Sequence, residues 1–194
     1  MHSDISGIIL SGGASSRIGS DKAMLEVGSK KIVEIIKDTL QGIFKKVMII
    51  TNNPVQYNFL DLEMHEDIYK NIGPIGGIHS GLVNSGTEKN FFISCDMPFV
   101  NKNLIEFIIT NSDFNKITVT KTKDGLQPLC GLFPGACICI IDELVSASKF
   151  SIHGIFDVFD TKIIDIENEF TGFSKKLFFN INTVKDYEEI KNLI

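Results

Sequence analysis

Arginine is almost absent from this chain: Arg17 is the only one among nineteen cationic residues, and the formal net charge is −5. A chain with this charge lacks the broad basic surface that duplex DNA or RNA needs, so we expect no nucleic-acid partner. An acidic protein that binds a polyphosphate must instead supply positive potential locally. Arg17 and Lys22 stand five positions apart in a stretch rich in glycine and serine, and such a stretch could supply it.

Long apolar runs and paired cysteines are also missing. No run reaches the length of a membrane-spanning helix, and residues 1–4 do not have the pattern of a signal peptide. The four cysteines include no C-x-x-C pair, which argues against a zinc site. Cys137 and Cys139 alternate with isoleucines, a pattern that predicts two buried thiols. We therefore expect a cytoplasmic protein with reduced cysteines and no membrane contact.

The two commonest phosphate motifs do not occur. No Gly-x-x-x-x-Gly-Lys-Ser/Thr spacing is present, and the second apolar run ends in Thr51-Asn52-Asn53 rather than in the acidic residue of a dinucleotide site. The first run, Ile5–Leu10, leads instead into a glycine- and serine-rich turn that carries Arg17 and Lys22. Backbone N–H groups, hydroxyls and two cations suit an anion, so this turn predicts a phosphate-binding loop.

Strand-like and helix-like patterns alternate along the chain. They predict an α/β fold with three layers around a mostly parallel mixed sheet, in a single domain over residues 1–194. The predicted strands are Ile5–Leu10, Val47–Thr51, Leu62–His65, Phe91–Ser94, Ile117–Lys121, Leu129–Phe133, Lys162–Asp165 and Phe178–Asn180. The predicted helices are Lys31–Ile43, Val55–Leu60, Gly76–Val83, Leu104–Asn111, Cys137–Ala147, His153–Phe159 and Val184–Leu193. A turn at Gly125–Pro128 indicates that part of the sheet is antiparallel.

Polar residues follow several of the predicted strands, at the edge where such sheets bind ligands. Asp96 directly follows a buried strand and is the first candidate for a metal ligand, because Mg²⁺ takes one or two carboxylates together with phosphate oxygens. Asp67 precedes a Gly-Pro and Gly-Gly turn that opens a helix, whose N-terminus can face a ligand. Asn180 and Asn182 flank Ile181 and are expected to face one side of a strand end.

No nucleophile and base can be paired by spacing. His65, His79 and His153 lie in apolar stretches, where core or surface roles are commoner than catalysis, and no Ser-His-Asp or Cys-His arrangement is evident. Phosphoryl-type transfer needs little covalent help from a protein, since positioning, a metal ion and cations are sufficient.

In this order, the motifs resemble those of the molybdenum cofactor guanylyltransferase family. The matching segments are Leu10-Ser11-Gly12-Gly13, Arg17-Ile18-Gly19, Asp21-Lys22, Gly73-Pro74-Ile75-Gly76-Gly77-Ile78, Cys95-Asp96-Met97-Pro98-Phe99 and Asn180-Ile181-Asn182-Thr183-Val184-Lys185-Asp186. Each motif alone also occurs in other nucleotidyltransferases, but the set is specific. The resemblance runs from Gly7 to about Tyr187, nearly the whole chain, and implies a Rossmann-like nucleotidyltransferase fold.

The resemblance implies a magnesium-dependent transfer of GMP from GTP to molybdopterin or molybdenum-molybdopterin, with release of pyrophosphate. It implies catalytic roles for Arg17, Lys22 and Asp96, with Mg²⁺ on Asp96 and a product or pterin side at Asn180 and Asn182. The nucleotide-binding residues that it implies are Leu10, Ser11, Gly12, Gly13, Lys22, Asn52, Asp67, Gly77 and Asp96. Transient contact with other cofactor-biosynthesis proteins or with acceptor molybdoenzymes is a further expectation.

Other readings of the sequence remain open. A related cytidylyltransferase, or another nucleotidyltransferase acting on a sugar or alcohol phosphate, would share most of these motifs, although Gly12 and Met97 favour guanine over cytosine. A nucleotide-binding module without catalysis is a second alternative, which the presence of Asp96, Arg17 and Lys22 argues against. One departure from the family is His153, which stands where relatives often have an arginine.

Overall fold

The structure, a computed structural model, describes residues 1–12 and 21–191. In this part of the chain the strands are β1 (His2–Leu10), β2 (Glu26–Val27), β3 (Lys30–Lys31), β4 (Phe44–Ile50), β5 (Glu63–His65), β6 (Lys89–Ser94), β7 (Ile117–Thr122), β8 (Gly125–Pro134) and β9 (Thr161–Asp165). The α-helices are α1 (Ile32–Gln41), α2 (Pro54–Tyr57), α3 (Pro74–Ser85), α4 (Lys102–Thr110), α5 (Cys137–Ser146), α6 (His153–Val158), α7 (Ile166–Glu169) and α8 (Val184–Lys191). None of the helices in these ranges is long and apolar enough to cross a membrane.

Seven of the strands form one sheet in the order β5-β4-β1-β6-β8-β7-β9. Strand β8 runs antiparallel to both of its neighbours, and the other pairs are parallel. The mostly parallel mixed sheet is therefore confirmed, and so is the antiparallel component that the turn at Gly125 predicted. A parallel sheet needs helical crossovers that cover both of its faces, which accounts for the three layers.

Side chains of each strand alternate between two apolar layers. On β1, Ile5 and Ile9 pack in the layer that holds α1 and α4, while Ile8 and Leu10 pack against α3 and α5. Both layers are fully shielded from water around the central strands, so these strands read in the sequence as continuous apolar runs. The polar ends of the strands are left as the accessible edge of the sheet.

The strand predicted at Phe178–Asn180 is wrong. Residues Lys175–Phe178 form a 3₁₀ turn, and the backbone then runs on without strand pairing to α8. Leu177 and Phe178 are buried all the same, because a tight turn can direct neighbouring apolar side chains into the core without joining the sheet. A run of apolar residues this short does not distinguish the two arrangements.

Two further details differ from expectation. The two-residue strands β2 and β3 pair as a small separate hairpin that the sequence pattern did not predict. Cys137 is buried but Cys139 is exposed, so the prediction of two buried thiols is wrong for the second. Both residues lie on α5, where positions two apart point in different directions. Burial of every second residue is a property of strands and does not apply to the helix that was predicted, and is found, from Cys137 onward.

Candidate active site

A cleft of about 590 Å³ opens at the carboxyl ends of β1, β4 and β6. Its lining consists of Leu10, Ser11, Gly12, Ile50, Thr51, Asn52, Asp67, Asn71, Gly73, Pro74, Gly77, Ser94 and Leu129. Six of the residues predicted to bind the nucleotide are among them, namely Leu10, Ser11, Gly12, Asn52, Asp67 and Gly77. The structure thus brings together residues from four separate segments of the chain, and the volume is that of an ordinary small-molecule site.

Backbone hydrogen bonds join the strand ends around this cleft. The N–H of Ser11 donates to the carbonyl of Ile50 at 2.9 Å, and the N–H of Cys95 donates to the carbonyl of Leu10 at 3.1 Å. The N–H of Thr51 likewise donates to the carbonyl of His65 at 2.9 Å. Pairing therefore continues one residue beyond each strand, which gives the polar side chains that follow a rigid support.

One wall of the cleft carries an amide paired with a carboxylate. The Nδ2 of Asn52 donates to Oδ2 of Asp67 at 2.7 Å, and the backbone N–H of Asp67 donates to Oδ1 of Asn52 at 3.1 Å. The next N–H, that of Ile68, donates to the buried hydroxyl of Ser80 on α3 at 2.7 Å. These three bonds orient the Asp67 carboxylate, which is half-buried and retains acceptor capacity for a ligand.

The N-terminal end of α3 forms a second wall. Gly73 precedes the helix with φ +76°, a conformation that favours glycine, and Pro74 begins it. Gly77 lies one turn further on, where an added Cβ would stand 3.1 Å from Cδ2 of Leu10 and 3.6 Å from Oδ1 of Asp67. Pro74 has no N–H, and the N–H of Gly76 donates to the carbonyl of Gly73 at 3.1 Å, so it is mainly the helix dipole that favours an anion at this end.

Lys22 and Asp96 come together beside the cleft, as the sequence predicted for residues of one site. The Nζ of Lys22 lies 3.9 Å from Oδ2 of Asp96 and donates to Oδ1 of Asn182 at 2.7 Å. Both charged side chains are about one-fifth exposed, so they are partly shielded yet accessible to a ligand. Asp96 comes two residues after Ser94, which lines the cleft, and this places the cluster next to it.

The segment that carries Asn180 and Asn182 is attached to Asp96 through the backbone. The N–H of buried Ile181 donates to the carbonyl of Asp96 at 3.1 Å. The carboxylate of Asp186 accepts the N–H groups of Asn182 and Thr183, both at 2.8 Å, while the hydroxyl of Thr183 accepts the N–H of Asp186. Reciprocal bonds of this kind start α8 and hold Asn182 in place.

A buried tyrosine that the sequence pattern did not indicate forms hydrogen bonds to two residues next to the cleft. Tyr57 is buried at the end of α2, and its hydroxyl donates to Oδ2 of Asp21 at 2.5 Å while lying 2.5 Å from Oγ of Ser11. Burial and, after it, the bond to Asp21 raise the pKa of Tyr57 above its usual range, so the phenol remains a donor. In the sequence this residue has no signal that separates it from an ordinary core aromatic.

No nucleophilic pair is formed by the described cysteines and histidines at the cleft. Burial raises the pKa of the Cys95 thiol to about 12, which keeps it protonated and inert. His65 and His79 contact the carboxylates of Glu63 and Asp142 at 2.8 and 3.0 Å, so their surroundings are less apolar than the sequence indicated. None of the residues His65, His79, Glu63 and Asp142 lines the cleft.

Two predicted site residues, Gly13 and Arg17, lie outside the described ranges 1–12 and 21–191. Their predicted roles in nucleotide binding and catalysis remain predictions. Within those ranges no group of three or more His, Cys, Asp or Glu side chains is arranged to hold a metal ion on its own. Asp96 is thus a single carboxylate, a donor set that suits Mg²⁺ when phosphate oxygens and waters complete its coordination.

Similarity to known proteins agrees with this geometry. A protein called "Probable molybdenum cofactor guanylyltransferase" from Clostridium perfringens is 34% identical over 193 residues, covering 95% of each chain. A molybdenum cofactor guanylyltransferase from Desulfosudis oleivorans is 28% identical, covering 98% of this chain and 96% of its own.

Solved structures show the same fold. Molybdopterin-guanine dinucleotide biosynthesis protein A from Archaeoglobus fulgidus superposes with a TM-score of 0.82 at 22% identity, over 97% of each chain. A 4-diphosphocytidyl-2C-methyl-D-erythritol synthase from Anaerococcus prevotii superposes with a TM-score of 0.72 at 16% identity, over 98% of each chain. The MobA-like NTP transferase domain matches residues 7–157, most of the sheet and the whole cleft lining. This chain belongs to the MobA-like NTP transferase family.

Proposed function

We propose that this protein transfers GMP from GTP to molybdopterin or molybdenum-molybdopterin, and that its whole length forms one nucleotidyltransferase domain. The observation that carries the proposal is the convergence of two pairs at one edge of the sheet. Asn52 and Asp67 form a polar wall of the cleft, and Lys22 and Asp96 form a charged pair beside it. Relatives named as guanylyltransferases of the molybdenum cofactor support this assignment.

The guanosine end of GTP is assigned to Asn52 and Asp67. A carboxylate only accepts hydrogen bonds, so Asp67 suits the ring and amino N–H groups of guanine, whereas the amide of Asn52 can both donate and accept. Because the two side chains already bond to each other, little rearrangement is needed for one of the carboxylate lone pairs to receive the base. Leu10 and Gly77 supply the adjoining apolar and backbone surface.

The phosphates are assigned to Ser11, Gly12, the N-terminus of α3 and Lys22. Ser11 and Gly12 line the cleft at the end of β1, where close approach of backbone to a phosphate is sterically open. The ammonium of Lys22 is oriented by Asn182, and among the described residues the carboxylate within 4 Å of it is that of Asp96, at 3.9 Å, so it is available to a polyphosphate. Arg17 is proposed to stabilise charge that develops on the departing pyrophosphate.

Asp96 is the residue proposed to hold Mg²⁺. Its carboxylate fits a site completed by phosphate oxygens and waters. A bound Mg²⁺ would neutralise charge on the triphosphate and so favour attack by another anion. Lys22 and Asp96 lie 3.9 Å apart, beyond hydrogen-bond distance, so the two groups can separate without breaking a hydrogen bond to each other.

The proposed reaction exchanges one phosphorus–oxygen bond for another. An oxygen of the pterin's terminal phosphate bonds to the α-phosphorus of GTP, and the bond from that phosphorus to the bridging oxygen breaks. Pyrophosphate leaves with the bonding electron pair. The attacking phosphate is already an anion, so no protein base has to remove a proton, in agreement with the inert Cys95 thiol at the site.

The acceptor is assigned to the side of the cluster that carries Asn180 and Asn182. Asn180 is half-buried and Asn182 is exposed, so amide groups are accessible there to an anionic ligand. His153 is exposed at the start of α6, and Ile155 of that helix packs in the other apolar layer from Ile181, so His153 receives no part in this assignment. We place the reaction in the cytoplasm, with transient contacts to cofactor-biosynthesis proteins or acceptor molybdoenzymes.

Nucleotide preference tests the proposal directly. GTP with Mg²⁺ should raise the melting temperature far more than CTP or ATP, because ligand at a hundred times its dissociation constant adds about 2.7 kcal/mol, or roughly 5–10 °C for a domain of this size. The protein should also release pyrophosphate, and only when both GTP and molybdopterin are present. Equal stabilisation by CTP would favour a cytidylyltransferase, and GTP binding without pyrophosphate release would favour a binding module.

A matched pair of variants localises the effect. Asp67→Asn removes the carboxylate in the cleft and should abolish the preference for GTP over ATP. Asp38→Asn removes a surface carboxylate that contacts Lys30 at 2.6 Å; neither residue lines the cleft, and the variant should leave the preference intact. A preference unchanged in both variants would mean that Asp67 does not read the base.

A further inference from the structure

One buried hydroxyl connects the two described ends of the proposed phosphate loop. Tyr57 donates to Asp21 and lies within hydrogen-bond distance of Ser11, both at 2.5 Å. A phenol has one proton and a carboxylate can only accept, so the hydroxyl of Ser11 must supply the proton of the second bond. The result is a chain of hydrogen bonds from Ser11 through Tyr57 to Asp21. It is shielded from water, since Tyr57 is 1% exposed.

Each end of this chain is anchored further. Ser11 follows β1, lines the cleft and donates its N–H to Ile50. Asp21 accepts the N–H of Ala23 with its second oxygen at 3.1 Å, which caps the 3₁₀ turn Lys22–Met24. Both carboxylate oxygens of Asp21 therefore accept hydrogen bonds. These bonds fix the position of the backbone at the start of the turn, and so the position from which the Lys22 side chain extends.

Lys22 is the functional end of this arrangement. Its ammonium spans from Asn182 to Asp96, contacts that depend on where the 3₁₀ turn begins. Without the Tyr57 hydroxyl, the side chain of Asp21 would keep, of its bonds to the described residues, the one to Ala23, and the turn could shift relative to Ser11 and Gly12. Misplacement of a catalytic group by about 1 Å can cost on the order of a hundredfold in rate.

We propose that Tyr57 is a positioning residue that sets Lys22 against the Ser11–Gly12 wall of the cleft. This inference rests on the proposed function, since it assigns Lys22 to the phosphates of GTP. It differs from a purely structural role in what it predicts: a core tyrosine that only stabilises would change the melting temperature and leave the kinetics of the folded enzyme unaltered.

Tyr57→Phe is the principal test, because it keeps the buried ring and removes only the hydroxyl. We expect kcat/KM for GTP in pyrophosphate release to fall by about tenfold or more. Tyr69→Phe is the matched control: it removes a tyrosine–aspartate bond of 2.9 Å to Asp142 on α5, and neither residue lines the cleft. The control should change kcat/KM by less than about twofold, with a comparable change in melting temperature.

A double-mutant cycle then tests whether the effect acts through Lys22. In a Lys22→Ala background, Tyr57→Phe should cause little further loss, because the group that it positions is already gone. Asp21→Asn weakens the same series of hydrogen bonds at its other end and leaves the buried ring of Tyr57 unchanged. It should also lower kcat/KM, so the inference can be tested even if Tyr57→Phe folds poorly.

Three results would reject the inference. Wild-type kinetics in Tyr57→Phe would show that the hydroxyl does not position the site. Fully multiplicative losses in the double variant would show that Tyr57 does not act through Lys22. A wild-type enzyme that releases no pyrophosphate from GTP would reject the proposed function and this inference with it, whereas an active wild type with an unaffected Tyr57→Phe rejects the inference alone.

Discussion

Gly77 and Gly81 lie one turn apart on α3, and both are buried. We predict that replacement by alanine affects ligand binding at one of them and folding stability at the other. A Cβ at Gly77 would stand 3.1 Å from Cδ2 of Leu10, the free end of a flexible side chain at the cleft. A Cβ at Gly81 would stand 2.5 Å from the ring of Phe92 and 3.1 Å from Ile8. Gly77→Ala should therefore impair ligand binding, and Gly81→Ala should impair stability.

The magnitudes follow from competing terms. Alanine in place of glycine inside a helix is favourable by about 0.5–1 kcal/mol. At Gly77 this gain offsets a displacement of Leu10 by a few tenths of an ångström, so the melting temperature should remain nearly unchanged. Phe92 cannot give way so easily, since its ring packs edge-to-face on Phe133 at 5.4 Å. Overpacking of about 1–3 kcal/mol should then exceed the helix gain and lower the melting temperature by several degrees.

Ligand binding shows the reverse order. A methyl group at Gly77 enters the wall formed with Leu10 and Asp67, and a misfit of one methyl in a pocket costs about 1–3 kcal/mol, or tenfold and more in affinity. Direct titration with GTP and Mg²⁺ should show this loss in Gly77→Ala and near wild-type affinity in folded Gly81→Ala. Unchanged GTP affinity in Gly77→Ala would refute the assignment of this cleft to the nucleotide.

Three further predictions concern the charged residues. Asp96→Asn should abolish most pyrophosphate release while the melting temperature stays within a few degrees of wild type; normal turnover would mean that the cation is held elsewhere. Arg17→Lys should lower kcat more than it weakens GTP binding, because a lysine keeps the charge but loses the fork that grips two oxygens; a loss of affinity in full proportion to the rate would make Arg17 a ground-state ligand. Burial raises the pKa of Asp186, but the N–H groups of Asn182 and Thr183 outweigh it and hold that pKa below its ordinary value. The resulting stabilisation should be present above about pH 4 and lost as the pH falls further, and Asp186→Asn should flatten this acid dependence of the melting temperature.

The sheet could be predicted from the sequence because its central strands are buried on both faces. Ile5–Leu10 and Phe91–Ser94 are apolar runs of strand length bounded by polar residues, and the structure pairs them in register side by side. Phe178–Asn180 has the same appearance over three residues, yet its apolar side chains reach the core from a 3₁₀ turn. A short apolar run in the sequence predicts that its side chains are buried, but it does not predict whether the backbone there is a strand or a turn.

The candidate site was predictable to the extent that it follows strand ends. Asn52, Asp67 and Asp96 each come after a strand of the parallel part of the sheet, so topology alone brings them to one edge. Tyr57 could not be found in this way, because its contribution is a hydroxyl that reaches Ser11 and Asp21 from the end of α2. Such a role depends on where three distant segments meet, which neither periodicity nor spacing encodes.

The weakness of the Lys22–Asp96 contact is itself informative. At 3.9 Å the two charged groups are too far apart to share a hydrogen bond. The hydrogen bonds that hold the two residues in place are shorter. Lys22 donates to Asn182 at 2.7 Å, and the N–H of Ile181 donates to the carbonyl of Asp96 at 3.1 Å. An ammonium has three donors, so Lys22 can keep its bond to Asn182 and still donate to a polyphosphate. Asp96 can likewise meet a divalent cation while its backbone carbonyl stays bonded to Ile181, because the two charged groups are held close by their surroundings rather than by each other.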